Sequence, residues 1–339
     1  MTRRALGFGL LLALLIGWAN PAAAAPKRPG LSAAVSGRTV RVSVQPHHRA
    51  RASLPILEFL TLPRSIPADS QAHVSAASAM LVDAVTGEVL FEQDPDELRP
   101  PASITKILTA LVILEHGRLT DTVAVSQAAA SVGGHRLGLR RGQWISLEHL
   151  LAAILIRSAN DAAMVAAEHV GGGLAGFVAS MNAMARELGM HHSHFVNPHG
   201  LDEPGHFTTA RDIVLLTRAA MEHPRFAGLV RTREMAVTIW RQGRRGLVPQ
   251  LRTIVSHNKL LGWLEGADGV KTGYTDAAGR CLVASASRGG QRMIAVLLND
   301  PRRWMDAATL LEYGFGTGRG TARSPVSPWW EAVVGGSRG

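Results

Sequence analysis

Stretches that read as β-strand lie near both ends of the folded part of this 339-residue chain, and a helical block separates them. Ala79 to Val85, a tight turn at Thr86-Gly87, and Glu88 to Glu92 form a strand, turn and strand pattern. Far along the chain, Gly279 to Arg288 and Arg292 to Leu298 read the same way. Between them, Ser146 to Arg157, Asp161 to Val170 and Leu174 to Leu188 contain no proline and are rich in alanine, leucine and methionine, as helices are. Thr208 to His223 is a further helix capped by Thr208 or Thr209, and Arg302 to Phe315 is a last one. Glu234 to Trp240 and Val248 to Val255, around a turn containing Gly243, suggest a hairpin. Strands at both ends must find partners, so the pattern predicts one sheet closed by distant segments.

Apolar residues at 46% supply a core, and charged residues at 18% are too few for general disorder. The lone cysteine, Cys281, excludes an internal disulfide and a multi-cysteine zinc site, and reads as a small core residue of a strand. Arg3 and Arg4, an apolar stretch from Leu6 to Ala19 and the small residues Ala22 to Ala24 make a secretory signal over residues 1–24. The general secretory route is expected, with an uncleaved anchor as the alternative; the product is placed in the periplasm or at the wall. Net charge is +10. Much of it sits between Pro26 and Ile66, where seven basic residues face only Glu58. Residues 25–75 therefore read as a basic, flexible, solvated linker, with an anionic wall or lipid surface as its candidate partner. Nucleic acid is not expected behind a secretory signal. Residues 76–316 form the folded domain, and 317–339 a Gly-, Ser- and Pro-rich tail.

The basic residues carry a bias. Of 36, only Lys27, Lys106, Lys259 and Lys271 are lysine, so each raises the question of what arginine cannot do there. Lys106 stands three residues after Ser103, at the start of a helix with apolar Ile104, Ile107, Leu108 and Leu111. Residues three apart share a helix face, so hydroxyl and amine can meet. A serine needs a neighbouring base to become a nucleophile. Arginine cannot give up its proton, whereas a buried lysine can. Alone, the pair also fits a capping serine and a surface lysine. Ser158-Ala-Asn160 and Lys271-Thr272-Gly273 are the second and third elements. Each alone fits a turn; Gly273 would let a substrate backbone lie against a strand, and Lys271 offers a compact charge for a carboxylate.

Taken together and in this order, the three elements resemble the penicillin-binding protein and serine β-lactamase superfamily. Pro100-Pro-Ala-Ser-Ile-Thr-Lys106, Ser158-Ala-Asn-Asp-Ala162, Phe195-Val-Asn-Pro-His-Gly-Leu201, Thr209-Ala-Arg-Asp212 and Gly269-Val-Lys-Thr-Gly-Tyr-Thr275 look like the low-molecular-mass D-alanyl-D-alanine carboxypeptidases of serine peptidase family S11. The resemblance covers roughly Ala76 to Gly316. It implies an α/β (α+β) transpeptidase fold: an antiparallel sheet flanked by helices, with an inserted helical subdomain. It also implies removal of the terminal D-alanine from peptidoglycan stem peptides, with β-lactam antibiotics as covalent inhibitors. Ser103 would be the nucleophile, Lys106 its base and Ser158 the proton relay to the leaving amine. Asn160 would hold the substrate amide, and Lys271 and Thr272 the terminal carboxylate. Gly273 would let the substrate lie close, and the N–H groups of Ser103 and Tyr274 would form the oxyanion hole. Only about 23 residues follow Gly316, so neither the β-rich domain nor the membrane helix of the larger family members is expected.

An endopeptidase cutting D-alanyl cross-links would use the same site. A class A β-lactamase would need a Glu-x-x-Leu-Asn segment, which is missing between Asn160 and Lys271. A catalytically silent wall-binding protein conflicts with three intact elements. No cofactor is implied. His191, His192 and His194 read as a polar loop rather than a metal site.

Overall fold

A computed structural model describes residues 73–317. The expected signal, the basic linker up to residue 72 and the tail from residue 318 lie outside the described residues.

The first strand, β1 (Ser78–Asp83), has all six residues buried. It lies inside a five-stranded sheet, between β2 (Val89–Gln93) and β9 (Gln291–Leu298), followed by β8 (Gly279–Arg288) and β7 (Ala267–Thr275). All neighbours are antiparallel, and Leu81 stands opposite Ala295. Side chains alternate between two cores. Leu81, Leu282 and Leu297 pack with Leu310 and Leu311 of α8 (Arg303–Thr317). Met80, Val82, Val283 and Val296 join the core that holds Ile107 of α1 (Lys106–His116) and Ile213 of α6 (Ala210–Glu222). With both faces covered, these strands appear in the sequence as continuous apolar runs. The expected closure by distant segments is thus the pairing of β1 with β9.

The helical block is α3 (Leu147–Ile156), α4 (Asn160–Val170) and α5 (Leu174–Glu187). Ser146 caps α3 by accepting from His149 N at 3.2 Å, and Thr209 caps α6 by accepting from Asp212 N at 3.1 Å. Two short helices, α2 (Gln127–Ser131) and α7 (Pro224–Val230), were not expected from the sequence.

Two expectations need correction. The described residues form two sheets rather than one. The hairpin of β5 (Glu234–Gly243) and β6 (Gly246–Val255) pairs with β3 (Thr122–Ala124) and β4 (Trp144–Ser146) in a separate sheet of order β3-β4-β5-β6. Three-residue strands are too short to show a period, so nothing in the sequence announced this second sheet. The helix expected to begin at Ser103 also begins otherwise. Ala102–Thr105 is a 3₁₀ turn with Ala102 at φ 47°, and the α-helix starts at Lys106.

Candidate active site

Ser103 is presented by that 3₁₀ turn, which is held from two sides. Thr105 Oγ1 donates to Ala102 O at 2.8 Å and also meets His206 Nε2 at 2.8 Å. Gly200, at φ +82°, presses on the turn so closely that a Cβ there would lie 1.9 Å from Ala102 O. On the other side runs β7, the sheet's edge strand. A Cβ at Gly273 would come within 3.1 Å of Ala102 Cβ and 3.3 Å of Ser103 N. Glycine is therefore what lets the strand and the nucleophile's turn touch.

Lys106 is fully buried beneath Ser103. Its Nζ donates to Ser103 Oγ at 2.9 Å, Asn160 Oδ1 at 2.7 Å and the His199 carbonyl at 2.6 Å. Burial, with the charge of Lys271 adding to it, drives the Lys106 pKa far below the ordinary lysine range. Burial also holds His199 down to about 3 and His206 to about 4, so both are neutral near pH 7. Lys271 is buried on the opposite wall, with Nζ donating to Ser158 Oγ at 2.9 Å and to Thr272 O at 2.8 Å. Its pKa is lowered to about 7, first by burial and then by the charge of Arg303. Ser158 sits at φ 61°, in the αL region, between α3 and α4. Asn160 is fixed by its own amide, which donates to Gly133 O at 2.8 Å.

Ser103, Ser158, Asn160, Thr272, Gly273 and Tyr274 all line one cleft of about 330 Å³, and the two lysines lie under its serines. The structure thus brings together all eight residues singled out in the sequence, from three separate stretches of chain. Tyr274 is the most exposed of them, at 60%, and its hydroxyl donates to Asp276 at 3.0 Å. His194, by contrast, bonds the Gly205 carbonyl through Nδ1 at 2.7 Å, within a loop.

Sequence reasoning missed several lining residues: Gly134, His135, Leu201, His257 and above all Arg303. Arg303 begins α8, and its Nη1 donates to the carbonyls of Gly273 at 2.7 Å and Cys281 at 3.1 Å. A second cation therefore stands beside Lys271. No sequence signal separates it from the other arginines, because its neighbours in the cleft are far away along the chain. Gly200 lay within a stretch quoted for the family resemblance, but no role was read for it.

The sequence profile of the family described as D-alanyl-D-alanine carboxypeptidase matches residues 66–302. A D-alanyl-D-alanine carboxypeptidase of Bacillus subtilis, DacF, is 37% identical over 227 residues, covering 66% of this chain and 57% of the relative. One from Mycobacterium tuberculosis, DacB2, is 37% identical over 248 residues, 71% of this chain and 82% of that one. This chain thus spans little more than half the length of the Bacillus relative. Among solved structures, the Streptomyces K15 DD-transpeptidase superposes with TM-score 0.68 at 29% identity, covering 73% of this chain and 99% of that one. A D-alanyl-D-alanine carboxypeptidase of M. tuberculosis superposes with TM-score 0.65 at 35% identity, covering 75% and 94%. On sequence, fold and order of elements alike, this chain belongs to the D-alanyl-D-alanine carboxypeptidase family of serine peptidases, with the transpeptidase fold of the penicillin-binding proteins.

Proposed function

We propose that this protein is a serine D-Ala-D-Ala carboxypeptidase of peptidoglycan stem peptides. The observation that carries this reading is the Ser103–Lys106 pair, 2.9 Å apart, with the lysine buried and its pKa driven down. In its neutral form the amine gives its two hydrogens to Asn160 Oδ1 and the His199 carbonyl, and its lone pair then accepts from the Ser103 hydroxyl, so it is the base a serine nucleophile needs. Ser103 Oγ attacks the carbonyl carbon of the penultimate D-alanine while Lys106 Nζ takes the hydroxyl proton. The tetrahedral oxyanion is held by backbone N–H groups of Ser103 and Tyr274, where preorganised donors contribute most. When the C–N bond breaks, Ser158 gives its proton to the departing amine and regains one from Lys106, which returns to its neutral form. Lys271 already donates to Ser158 Oγ, which leaves the serine's own proton free for that transfer. Asn160 holds the substrate amide; Lys271, Thr272 and Arg303 surround the terminal carboxylate. Water then attacks the acyl-enzyme, releasing the shortened peptide and restoring the Ser103 proton.

β-Lactams present a similar acyl group and acylate the same serine. Intact-mass measurement is expected to show one penicillin added, and none in Ser103→Ala. Labelling that persists in this variant overturns the assignment. Incubation with monomeric and cross-linked muropeptides reads the substrate directly: free D-alanine from monomers supports the carboxypeptidase, and cleavage confined to cross-linked dimers supports an endopeptidase instead. The reading also places the protein outside the cytoplasm, in the periplasm or at the wall, supported by the signal-like residues 1–24. Cell fractionation followed by penicillin labelling tests it; activity confined to the cytosol contradicts it.

A further inference from the structure

The β5–β6 hairpin reaches past the core that it covers. In its ladder Val237 stands opposite Arg252, Ile239 opposite Gln250 and Arg241 opposite Val248. Every second residue of a strand shares a face, and ladder partners share one too. Arg241, Gln250 and Arg252 therefore project from the same face as Val237, Ile239 and Ile254, which are fully buried. Along β5 the core covers that face as far as Ile239, and beyond it Arg241 is exposed. Trp144, Trp240 and Leu251 lie on the opposite face.

Four arginines from three segments line the hollow left there: Arg140 and Arg141 of the loop before β4, Arg241 of β5 and Arg252 of β6. Its volume is about 630 Å³, and Gln143 and Gln250 complete the wall. The loop is fitted to the strand. Arg252 Nη1 donates to Leu137 O at 3.0 Å, and a Cβ at Gly138, which has φ +85°, would come within 3.1 Å of that nitrogen. Arg140 N donates to Gln143 Oε1 at 2.8 Å. Among the described residues none of the four arginines forms an ion pair. Residues 134–146 contain no carboxylate, and in residues 234–255 the one carboxylate, Glu234, lies at the far end and on the other face. Asp161, which holds the loop, is buried and accepts from the backbone N–H groups of Leu137, Gly138 and Leu139. Like charges gathered without a counter-charge repel one another, and an anion in the hollow relieves that repulsion.

We propose that this hollow binds a soluble chain of phosphodiesters. Guanidinium forks grip phosphate oxygens two at a time, and a tetrahedral anion offers oxygens to arginines that approach from different sides. A carboxylate keeps its two oxygens in one plane, so it meets fewer of the four. The hollow holds about twenty times the ~30 Å³ share of a water molecule, which is room for several linked phosphates. The side-chain amides of Gln143 and Gln250 add donors of the kind that bridging oxygens accept. A bilayer fits poorly. Its flat surface cannot enter a recess, and the exposed apolar residues Trp144 and Leu251 face the other way. This site is distinct from the basic residues before residue 76. It is joined to the cleft, because the loop that carries Arg140 and Arg141 also supplies Gly134 and His135 to the cleft wall. A chain seated in the hollow thus holds the enzyme to its polymer with the cleft alongside.

The test uses the full chain with Gln242→Cys, at the rim of the hollow, carrying a fluorophore; the one natural cysteine, Cys281, is buried. A glycerol-phosphate decamer that ends in a quencher is expected to quench the fluorophore saturably, and less so as salt rises. Arg140→Ser/Arg141→Ser/Arg241→Ser is expected to weaken that binding by at least about tenfold. The slope of log affinity against log salt is expected to become shallower by about two, at roughly 0.7 per lost phosphate contact on a single strand. The basic residues before residue 76 are intact in this variant, and penicillin acylation at the parent level shows that it is folded. No quenching overturns the proposal. Equal quenching in parent and variant overturns it too and assigns the binding to the earlier basic residues. Equal affinity for a glutamate decamer, or displacement by phosphatidylglycerol vesicles at the same phosphate concentration, removes the preference for a phosphodiester chain and overturns it as well.

Discussion

Lys106 and Lys271 are both buried amines that touch a serine, yet their surroundings give them different tasks. Lys106 has only neutral acceptors, so its value lies in accepting a proton. Lys106→Arg fills the same space with a group that stays protonated. Acylation by penicillin is expected to fall by about a hundred- to ten-thousand-fold, the share a general base supplies. Lys271→Arg, which keeps a charge of different shape and reach, is expected to retain measurable acylation and mainly to weaken recognition of free-acid peptides. A pH profile separates the two further. Lys271, with a pKa near 7, is cationic below that pH and neutral above it. Recognition of a carboxylate therefore weakens as pH rises through about 7, down to a plateau maintained by Arg303. The profile of kcat/KM on free-acid peptides is expected to show this falling limb, and the profile on amidated peptides is expected to lack it. In Arg303→Met the limb moves to higher pH, because the neighbouring charge that depresses Lys271 is gone. A limb that stays in place removes Arg303 from the site's electrostatics. These lysines were legible in the sequence because arginine is so abundant here that lysine stood out. Arg303 was hidden by the same abundance.

At the level of elements, the segment of residues 133–143 depends on one buried carboxylate. Asp161 accepts from the backbone N–H groups of Leu137 at 2.8 Å, Gly138 at 2.8 Å, Leu139 at 2.9 Å and Ala162 at 2.9 Å. It fastens a loop with no helix or strand of its own onto the first turn of α4. Asp161→Ala leaves buried donors unpaired and is expected to destabilise the fold by about 3 kcal/mol, with charge-assisted bonds worth more than neutral ones. Denaturant unfolding measures it, and acylation should fall too, since Gly134 and His135 line the cleft. Gly200→Ala tests the turn under Ser103. The αL backbone and the clash with Ala102 are expected to cost at least about 2 kcal/mol and to displace the nucleophile. Unchanged melting and unchanged acylation would show that the turn yields freely. Long helices and buried strands could be read from period and composition. The 3₁₀ turn, β3 and β4 could not, because each is too short for its repeat to recur. Nor did the sequence show Asp161 as an anchor, since its four partners are backbone groups that any residue carries.

For the whole molecule, the pairing of β1 with β9 means that the central sheet is completed by the last of its own strands to be made. A chain ending at Gly290 retains all eight residues singled out in the sequence, Ser103 to Tyr274, yet lacks β9. It is expected to take up no penicillin and to show no slowed hydrogen exchange at Ser78 to Asp83; protection there would mean that β1 finds its place without β9. The site's dependence on the sheet is invisible in the motifs, which name chemistry and say nothing of support. The same pairing sets a clock on the birth of the protein. Residues joined across more than two hundred positions cannot meet while the ribosome still holds the later ones, so for most of synthesis β1 has only its neighbour β2 to pair with and its β9 edge stays open. The molecule therefore closes its central sheet only once its far end has been made.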